Sequence, residues 1–512
     1  MHLWVLSRFV DNWVVRIRSI SPASGKHAIQ VVSGGGNNQL VHSHIGTYST
    51  PLEKQALLLK AAQYIKQTSK QIGLFDREEP VKLADVSVSQ NQPLFLYRLL
   101  TGVYRTLGLN SCPDPVIADL VVARLYKPVS KRSTQKLLTD SFAKPYSLIT
   151  LYRHLKSAME SGVKEAFQTA LISFAQGNTF TDGLRLVFYD VTTLYFESTV
   201  KTGLRGFGFS KDHRHQQTQV VVGLVVNSQG FPVYFDVFTG NTFEGHTFLP
   251  VIRNIRTLLN QPELVVIADA AMLSTANMDE LHKNRLNFVV GARLANLPNS
   301  LLETVTTDLS GHENSVGEFD YRGYRLICQY SKSRAAKDRS DRLRQVTKAE
   351  TIISQPAGAT NRFRFVKKSS GIGPSFVINQ ELVSRAEKLE GIKGYLTNTS
   401  LEPAQIIDRY HDLWRIEKAF RITKSDLEAR PVFHRLDQTI KAHLVIVFAA
   451  LAISRYLEIK TGLSIGRIIE AAGKLLTHRI ENTKTGETIY SETTIHDPQV
   501  LTILAKLKSL GY

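Results

Sequence analysis

The stretch Leu184-Arg-Leu-Val-Phe-Tyr-Asp-Val-Thr-Thr-Leu-Tyr-Phe196 indicates a strand at the centre of the chain, because β-branched and aromatic residues dominate it. Gln219 to Val226 has the same character, and Phe231 to Phe238 follows it after the turn Asn227-Ser-Gln-Gly230. Strands that are joined by tight connections pair antiparallel. We therefore predict a three-stranded antiparallel meander that begins at Leu184.

Helices and strands alternate after this meander. Helical spacing covers Glu244 to Asn260 and Ser274 to Arg285. Short apolar strands are predicted at Leu264 to Ala268 and at Phe288 to Val290. The resulting order, β-β-β-α-β-α-β, is that of an RNase H-like fold. We therefore predict a multidomain α/β protein with an RNase H-like catalytic core, a mixed five-stranded sheet with flanking helices, whose first part is residues 181–296.

A basic segment interrupts this core. Residues 297–393 carry mixed strand and turn signals, and Lys332 to Lys348 contains seven basic residues against two acidic ones. The pattern of the core resumes with a strand at Gly394 to Thr397 and one long helix from Pro403 to Leu427. We therefore predict a β-rich basic insertion at residues 297–393 and the second part of the core at residues 394–460.

The flanking regions differ from the core in their periodicity. Residues 1–50 alternate as strands and predict a small β-rich module, whereas residues 51–180 and 461–512 show helical spacing. The helix that begins at Ser147 carries Arg153 and Lys156, and we interpret it as a recognition helix within a helical DNA-binding region. A solvated basic helix face explains the same residues equally well.

The composition favours a polyanionic partner. The 512 residues include 63 Lys and Arg against 45 Asp and Glu, so the formal net charge is +18, and nucleic acid is the first candidate. Two cysteines, Cys112 and Cys328, exclude a disulfide framework and a structural zinc site, which fits a reducing cytoplasm. The most apolar run, Leu444 to Ile453, is shorter than a membrane span and predicts a buried helix. We expect neither a membrane nor, without a Walker A sequence, a nucleotide cofactor.

Three carboxylates stand out against apolar surroundings. Glu417 lies on the apolar stripe of the predicted helix from Pro403 to Leu427, where a buried carboxylate needs a partner or a metal. Asp190 lies on an apolar strand face, and Asp269 follows the strand that ends at Ala268. If the first and fourth strands are neighbours, the two aspartates meet, and we expect the late helix to bring Glu417 to the same edge.

Converging carboxylates point to a divalent metal, because like charges cannot all stay ionised without a compensating cation. Oxygen ligands suit Mg²⁺ or Mn²⁺, and two such ions can serve phosphodiester displacement. Each residue also has a structural explanation: Asp269 as a turn or cap residue, and Glu417 as an ion-pair partner of Lys424 or Arg421 on its own helix.

The residues around these carboxylates resemble a family. Asp190-Val-Thr-Thr, Ala268-Asp269 and the stretch from Tyr410 through Glu417 to Lys424 are similar to the DDE transposases of bacterial insertion sequences, in the branch with a Tyr-Arg-Glu-Lys signature. A β-rich insertion precedes the Glu in that branch. The resemblance implies that Asp190, Asp269 and Glu417 are catalytic and hold two Mg²⁺ or Mn²⁺ ions. It also implies cleavage at the ends of the element and joining of these ends to target DNA.

The resemblance extends to DNA contacts and partners. It implies that Tyr410 and Lys424 contact terminal phosphates, whereas the signature Arg falls at Leu413, which cannot bind phosphate. Arg415 and Arg421 on the same helix and Lys211 in a basic loop are further candidates for DNA binding. The expected partners are inverted-repeat DNA at the element ends and target DNA, bound by a homodimer in a synaptic complex in the bacterial cytoplasm, associated with the nucleoid.

Relatives that pass through hairpin intermediates stack a flipped base on a tryptophan of the insertion. The tryptophans here lie outside that segment, so Phe319, Tyr321 or Tyr324 would have to serve, or the pathway differs. Two other functions fit parts of the sequence. One is a non-catalytic DNA-binding protein derived from a transposase, which Leu413 favours. The other is a tyrosine recombinase, and its only support is that His282 and Arg285 have the His-x-x-Arg spacing of such enzymes.

Overall fold

The computed structural model describes most of the chain, in two compact units. One unit comprises residues 1–87 and 481–488, and the other comprises residues 88–480 and 489–512. The described residues are 8–10, 13–21, 27–33, 39–72, 86–177, 184–210, 214, 216–259, 264–272, 274–284, 286–309, 311–354, 363–369, 376–430, 432–483 and 486–511.

The first unit is a small antiparallel sheet with one helix. Its strands are β1 (Arg8–Val10), β2 (Trp13–Ile20), β3 (His27–Ser33) and β4 (Leu40–Tyr48), and its helix is α1 (Pro51–Ile72). Ile29 and Val31 of the sheet and Ala61 of α1 form one buried cluster. This β-rich module therefore extends beyond residue 50, because α1 covers the apolar face of the sheet.

A set of helices opens the second unit. The strand β5 (Val86–Gln92) precedes α2 (Leu94–Thr106), α3 (Pro115–Tyr126), α4 (Lys131–Phe142), α5 (Leu148–Glu160) and α6 (Val163–Gly177). Side chains of Asp114, Ser130 and Ser147 cap the N-termini of α3, α4 and α5. The helical character predicted for this part of the chain is confirmed for residues 94–177, whereas β5 is a strand inside the range that was predicted to be helical. Both α3 and α5 pack against the later helix Asp437–Thr461, so this region shares the core of the unit.

The central sheet follows the predicted order. Its elements are β6 (Leu186–Tyr195), β7 (Gln219–Asn227), β8 (Pro232–Thr239), α7 (Glu244–Leu259), β9 (Val265–Ala268), α8 (Thr275–Lys283) and β10 (Asn287–Gly291). The strands β6, β7 and β8 pair antiparallel, whereas β6, β9 and β10 pair parallel. The antiparallel meander and the neighbouring position of the first and fourth strands are therefore confirmed.

The following segment adds both helices and strands. It contains α9 (Asn299–Leu309), β11 (Val316–Tyr321), β12 (Tyr324–Tyr330), α10 (Lys332–Ile353), β13 (Val366–Lys368), β14 (Phe376–Ile378), α11 (Gln380–Lys388) and β15 (Ile392–Thr397). The prediction of a β-rich insertion is wrong for the basic stretch, which forms α10. That stretch lacks Gly and Pro and is rich in residues that favour helices.

Two strands of this segment extend the sheet. The described strands pair in the order β11-β12-β15-β10-β9-β6-β7-β8, so the sheet is wider than the five strands that we predicted. The five predicted strands lie side by side within it. Because β15 runs antiparallel to β10, the N-terminal end of β15 lies at the same edge as the carboxyl ends of β9 and β10.

The last part of the unit is mainly helical. Its elements are α12 (Pro403–His411), α13 (Trp414–Arg421), a π-helical turn (Ile422–Asp426), α14 (Asp437–Thr461), α15 (Ile465–Lys474), β16 (Thr477–Asn482), β17 (Thr488–Glu492) and α16 (Pro498–Lys508). By length and composition α14 could span a membrane, but 94% of its most apolar window is buried inside the protein. The prediction of a buried helix there is confirmed, whereas the predicted helical C-terminal region also contains two strands.

The single helix predicted from Pro403 to Leu427 is wrong. The chain makes tight turns at Asp412 and Leu413, where the amide of Leu413 bonds the carbonyl of Tyr410 at 3.1 Å and the amide of Arg415 bonds that of Asp412 at 3.0 Å. The side chains of Asp412 and Arg415 also pair, at 3.0 Å. This break separates α12 from α13 and changes which side chains of α13 face the sheet.

Candidate active site

The sheet places two of the predicted carboxylates side by side. Tyr189 of β6 pairs with Ala268 of β9, so the next position of each strand is an aspartate, Asp190 and Asp269. Neighbours in register point to the same face of a sheet. Gly291 of β10 continues this row, because it directly follows Val290, the residue that pairs with Ala268. Gly291 in turn pairs with Tyr395 of β15. Asp190, Asp269, Gly291 and Tyr395 therefore share one face.

Two short helices cover this face. The helix α12 packs on β9 and β10, and α13 packs on β6 and β7. The hydroxyl of Tyr410 on α12 donates a hydrogen bond to Oδ1 of Asp269 at 3.3 Å. A side chain at Gly291 would obstruct this contact, because a Cβ there would lie 2.6 Å from the Tyr410 hydroxyl. Glycine at this position therefore lets Tyr410 reach Asp269.

Tyr410 is a protonated donor in a buried position. Burial, and next the carboxylate of Asp269, raise the pKa of its hydroxyl, and Asp190 acts in the same direction. Only 6% of the residue is exposed. The sequence resemblance implied a contact between Tyr410 and a DNA phosphate, but its hydroxyl is directed at Asp269. In this structure Tyr410 orients a carboxylate.

Asp190 and Asp269 are also held by the local backbone. Oδ1 of Asp190 accepts from the amide of Val191 and Oδ1 of Asp269 from that of Ala270, both at 2.7 Å. The carbonyl of Asp269 accepts from the amide of Met272 in the turn that follows the strand. Asp269 is thus both a turn residue and a neighbour of Asp190. Asp190 is half-buried and Asp269 is exposed, so the aspartates can be reached from solvent.

Glu417 does not lie on a buried face. It is exposed in the first turn of α13, whereas Ile416, Ala419 and Phe420 are buried. The prediction of a buried Glu417 is wrong because the break before α13 shifts the apolar stripe by one position. Glu417 therefore avoids the cost of burying a charge and remains open to a cation from solvent.

A lysine that the sequence did not single out, Lys393, lies beside the carboxylate site. The ammonium nitrogen of Lys393 lies 4.5 Å from the centre of the Tyr410 ring and 5.4 Å from that of Tyr395. Burial and then Arg334 lower the pKa of Lys393, whereas Asp269 and Glu417 act in the opposite direction. Lys393 thus lies within electrostatic range of two carboxylates, and the Tyr410 that it contacts is within range of the third.

The chemical type of the available ligands, carboxylate oxygens, suits a hard divalent cation. Carboxylate oxygens are the ligands that Mg²⁺ and Mn²⁺ prefer, and Asp190 and Asp269 are adjacent. Among the described residues, however, no three His, Cys, Asp or Glu side chains lie close enough together to hold a metal ion. The expected convergence of all three carboxyl groups is therefore incomplete, with Glu417 on the same side as the aspartates but outside their immediate contact.

The remaining residues of the signature helix have varied surroundings. Leu413 is half-buried and packs against the main core, which leaves it no role toward DNA. Arg415 pairs with Asp412 and stacks on the exposed Trp414, 5.5 Å from its ring centre. Arg421 is exposed, and Lys424 is half-buried in the π-helical turn.

The DNA-binding candidates outside this helix are only partly described. Arg153 and Lys156 lie on the exposed face of α5, and Lys156 is 3.9 Å from Glu160. Lys211 lies outside the described residues.

Of the aromatic candidates, Tyr324 is buried and packs edge-to-face on Phe288, with the ring centres 5.5 Å apart. Phe319 and Tyr321 are half-buried against the core. Of the three rings, Tyr324 is thus the most buried.

A second cluster of ionisable groups lies in the helical part of the unit. This basic cluster consists of Arg124, Lys131, His434 and His443. Its members are at most 9% exposed, and the two imidazole centres are 5.2 Å apart. Burial lowers the pKa of Lys131 to about 7 and that of His434 to about 3, with neighbouring cations acting in the same direction. We find here no arrangement of ligands for zinc among the described residues.

Comparisons with known proteins identify a family for the part of the chain that contains the site. A family model described as the transposase DDE domain matches residues 182–453, which is more than half of the chain and includes the three carboxylates. No curated protein matches the sequence.

Two solved structures are similar to the chain at low levels. One is a piggyBac transposase synaptic complex with hairpin DNA, with 10% identity and a TM-score of 0.39 over 75% of this chain and 82% of that one. The other is a pre-cleavage Mos1 transpososome, with 14% identity and a TM-score of 0.16 over 45% of this chain and 66% of that one. Similarities at this level do not bear on the function.

Proposed function

The chain belongs to the transposase DDE domain family, and we propose that it is a DNA transposase that cleaves DNA at insertion-sequence ends and joins these ends to target DNA. The observation that carries the proposal is the pair Asp190 and Asp269 at adjacent positions of one sheet edge, with the exposed Glu417 on the helix that covers the same face. We propose these three residues as the catalytic carboxylates.

The strand arrangement supports an RNase H-like core. The strands β8, β7 and β6 are antiparallel, and β6, β9 and β10 are parallel, which is the arrangement that we expected for that fold. The carboxyl ends of β9 and β10 place Asp269 and Gly291 at the edge where α/β sheets bind their ligands. The α12 and α13 helices close this edge from one side.

Asp190, Asp269 and Glu417 would together hold two Mg²⁺ or Mn²⁺ ions. When bound, such ions activate a water or hydroxyl nucleophile and stabilise the leaving oxygen. The residues of the chain orient the ligands: Tyr410 fixes the rotamer of Asp269 through its hydroxyl, and the amides of Val191 and Ala270 hold the two aspartates. Tyr410 is therefore a positioning residue.

The charge of the chain supports DNA as its partner. A formal net charge of +18 supplies affinity for phosphates that does not depend on sequence. We propose that the partners are the inverted repeats at the element ends and a target DNA, that a homodimer forms the synaptic complex, and that the protein acts in the bacterial cytoplasm at the nucleoid. Arg153, Lys156 and Arg421 are exposed and available for contacts with the DNA backbone.

Strand cleavage tests this proposal. The purified protein is incubated with a duplex that contains the terminal inverted repeat flanking its gene, with Mg²⁺, Mn²⁺ or EDTA, and 3′-hydroxyl ends are measured. We expect metal-dependent release of such ends, and its loss in Asp190→Asn, Asp269→Asn and Glu417→Gln. Glu303→Gln, which changes an exposed carboxylate of α9, is the matched control and should cleave normally. Cleavage that survives in the three variants, or that proceeds in EDTA, would refute the assignment.

A further inference from the structure

A groove in the basic segment has Lys393, the lysine beside the carboxylate site, in its lining. Its volume is about 440 Å³, and it lies between α10, α11 and the beginning of β15. The cations that line it are Arg334, Arg342, Arg364, Arg385 and Lys393. Two aspartates, Asp338 and Asp341, also face it, so cations are in excess. An excess of cations in a groove attracts an anion of extended shape.

Two of these cations, Arg342 and Arg385, bond to other parts of the protein and stabilise its fold. Arg342 bonds Glu390 at 2.7 Å and Glu387 at 3.0 Å, which ties α10 to α11. Arg385 donates to the carbonyl groups of Ala295 and Leu297 and thus anchors α11 to the turn after β10. These two guanidinium groups are held by hydrogen bonds within the protein and form part of the walls of the groove.

Lys393 is placed differently, at the point where the groove meets the carboxylates. It is the second residue of β15, on the same face as Tyr395 and at the edge where Asp269 lies. The rings of Tyr395 and Tyr410 flank its ammonium group. In the part of the chain that the structure describes, no carboxylate oxygen lies within 4 Å of this group. A half-buried cation without an ion pair favours an external anion.

Arg334 continues the cationic surface away from the carboxylates. It lies in the first turn of α10, its side chain is 44% exposed, and its one ion pair among the described residues is with Asp338 at 3.4 Å on the same helix. Such an exposed pair within a helix contributes little and exchanges readily for another anion. Arg334 and Lys393 thus form a track of two available cations that ends at Asp269.

We propose that this groove binds the DNA strand that enters the carboxylate site, with Lys393 contacting the phosphate that is cleaved and Arg334 contacting the strand beyond it. This inference rests on the proposed function and specifies how the same site takes its substrate. A nucleic acid strand fits better than a small anion, because the cations extend along the groove instead of converging on one point. Contacts of this kind position the strand and do not read its sequence.

A cycle that removes the charge of Lys393, the charge of the DNA phosphate, or both tests the contact between them. Wild-type protein and Lys393→Met are titrated with the inverted-repeat duplex, in Ca²⁺, with either a normal phosphate or an uncharged methylphosphonate at the cleavage position. We expect each change alone to weaken binding about tenfold, since each removes one charged hydrogen bond, and the two together to weaken it no further. Lys393→Arg should retain most of the affinity, and Lys388→Met, on the exposed face of α11, should bind like the wild type.

The outcomes separate this inference from the proposed function. Additive losses in the cycle, or wild-type affinity in Lys393→Met, would overturn the contact even if the protein cleaves its ends. Failure of the wild-type protein to bind the duplex would overturn the proposed function and the contact together. If Lys393→Met loses its fold, as judged by thermal unfolding, the titration of Lys393→Arg with the methylphosphonate duplex decides: a loss of affinity supports the contact, and unchanged affinity contradicts it.

Discussion

The carboxylate site and the basic cluster show two ways in which this protein places several charged or ionisable groups of one kind close together. Asp190, Asp269 and Glu417 lie on one side of the sheet, half-buried or exposed, and keep their access to solvent. The basic cluster of Arg124, Lys131, His434 and His443 is buried among α3, α4 and α14, and burial lowers the pKa of each member. The first region keeps its charge accessible, whereas burial in the second lowers the pKa values and so favours the neutral forms of Lys131 and the two histidines.

The two regions therefore differ in whether their charged groups serve the activity of the protein or affect its stability. Carboxylates at an accessible edge repel each other and become useful when a cation joins them. Buried bases gain nothing from solvent and are tolerated because they are neutral or bonded to the backbone, as His443 is to the carbonyl of Ala429. Substitutions in the carboxylate site should therefore change activity more than stability, and substitutions in the basic cluster should do the reverse.

The largest effect is expected at Asp190. Asp190→Asn keeps the shape of the side chain and removes its charge, so we expect strand cleavage to fall by about a thousandfold or more, as for loss of a metal ligand. The melting temperature should stay the same or rise, because repulsion between carboxylates is relieved. Cleavage rates and thermal unfolding on the same preparation check both statements. A large drop in melting temperature would mean that Asp190 is a structural residue.

A smaller effect is expected at Gly291, where the site depends on space and not on charge. In Gly291→Ala the new methyl group meets the Tyr410 hydroxyl at 2.6 Å and should displace it from Asp269. We expect about tenfold slower cleavage and a loss of about 1–3 kcal/mol in the free energy of unfolding, as in overpacked cores.

A second substitution tests the cause of the Gly291→Ala effect. Adding Tyr410→Phe removes the obstructing hydroxyl and should restore stability but not activity. Gly466→Ala in α15, where a Cβ meets no atom within 4 Å, is the control and should be neutral or stabilising. Equal losses at both glycines would show that the clash with Tyr410 is not the cause.

A gain in stability is expected at Lys131. The residue is 5% exposed, and burial and the nearby Arg124 both disfavour its protonated form. Lys131→Met should raise the free energy of unfolding by about 1–2 kcal/mol at pH 7 by replacing a buried charge with an apolar chain. Lys136→Met, exposed on the same helix, should have little effect. Denaturant unfolding of the three proteins measures this, and destabilisation by Lys131→Met would indicate an ion pair that we have not recognised.

The effect that is smallest at neutral pH is a dependence of stability on pH. Burial lowers the pKa of His434 to about 3, well below the value of an unfolded histidine, so the unfolded chain binds the extra proton first as the pH falls. Stability is complete above about pH 6.5 and is lost progressively down to about pH 3, by up to about 1.4 kcal/mol per pH unit for one group. His434→Gln should flatten the decline between pH 6.5 and 5. An unchanged slope in this variant would assign the decline to other groups.

The carboxylate site was predictable where it depends on local patterns. The strands around Asp190 and Asp269 have strong β character, so the sequence predicted that the aspartates meet if the first and fourth strands are neighbours, and the pairing of β6 with β9 met that condition. The orientation of Glu417 was not predictable in this way, because α12 and α13 both show helical spacing and the break at Asp412 and Leu413, which shifts the apolar stripe, is not visible in that spacing.

Lys393 could not be found from local patterns at all. Its significance comes from the direction of β15, which runs against β10 and thereby brings the beginning of the strand to the edge of Asp269. Strand direction after a long insertion is a property of the whole sheet. The helix α10 was missed for a related reason, since a run of basic residues between turn signals was interpreted as a strand-rich segment although its residues favour a helix.

The most direct test of the account is the position of Mn²⁺ in crystals of the protein with inverted-repeat DNA, located by anomalous scattering. We predict Mn²⁺ between Asp190 and Asp269, with Glu417 drawn in as a further ligand, and no such peak in crystals of Asp190→Asn. Mn²⁺ bound elsewhere, or a bound DNA end with the aspartates and Glu417 away from any metal, would contradict the central claim that these three carboxylates form the catalytic site.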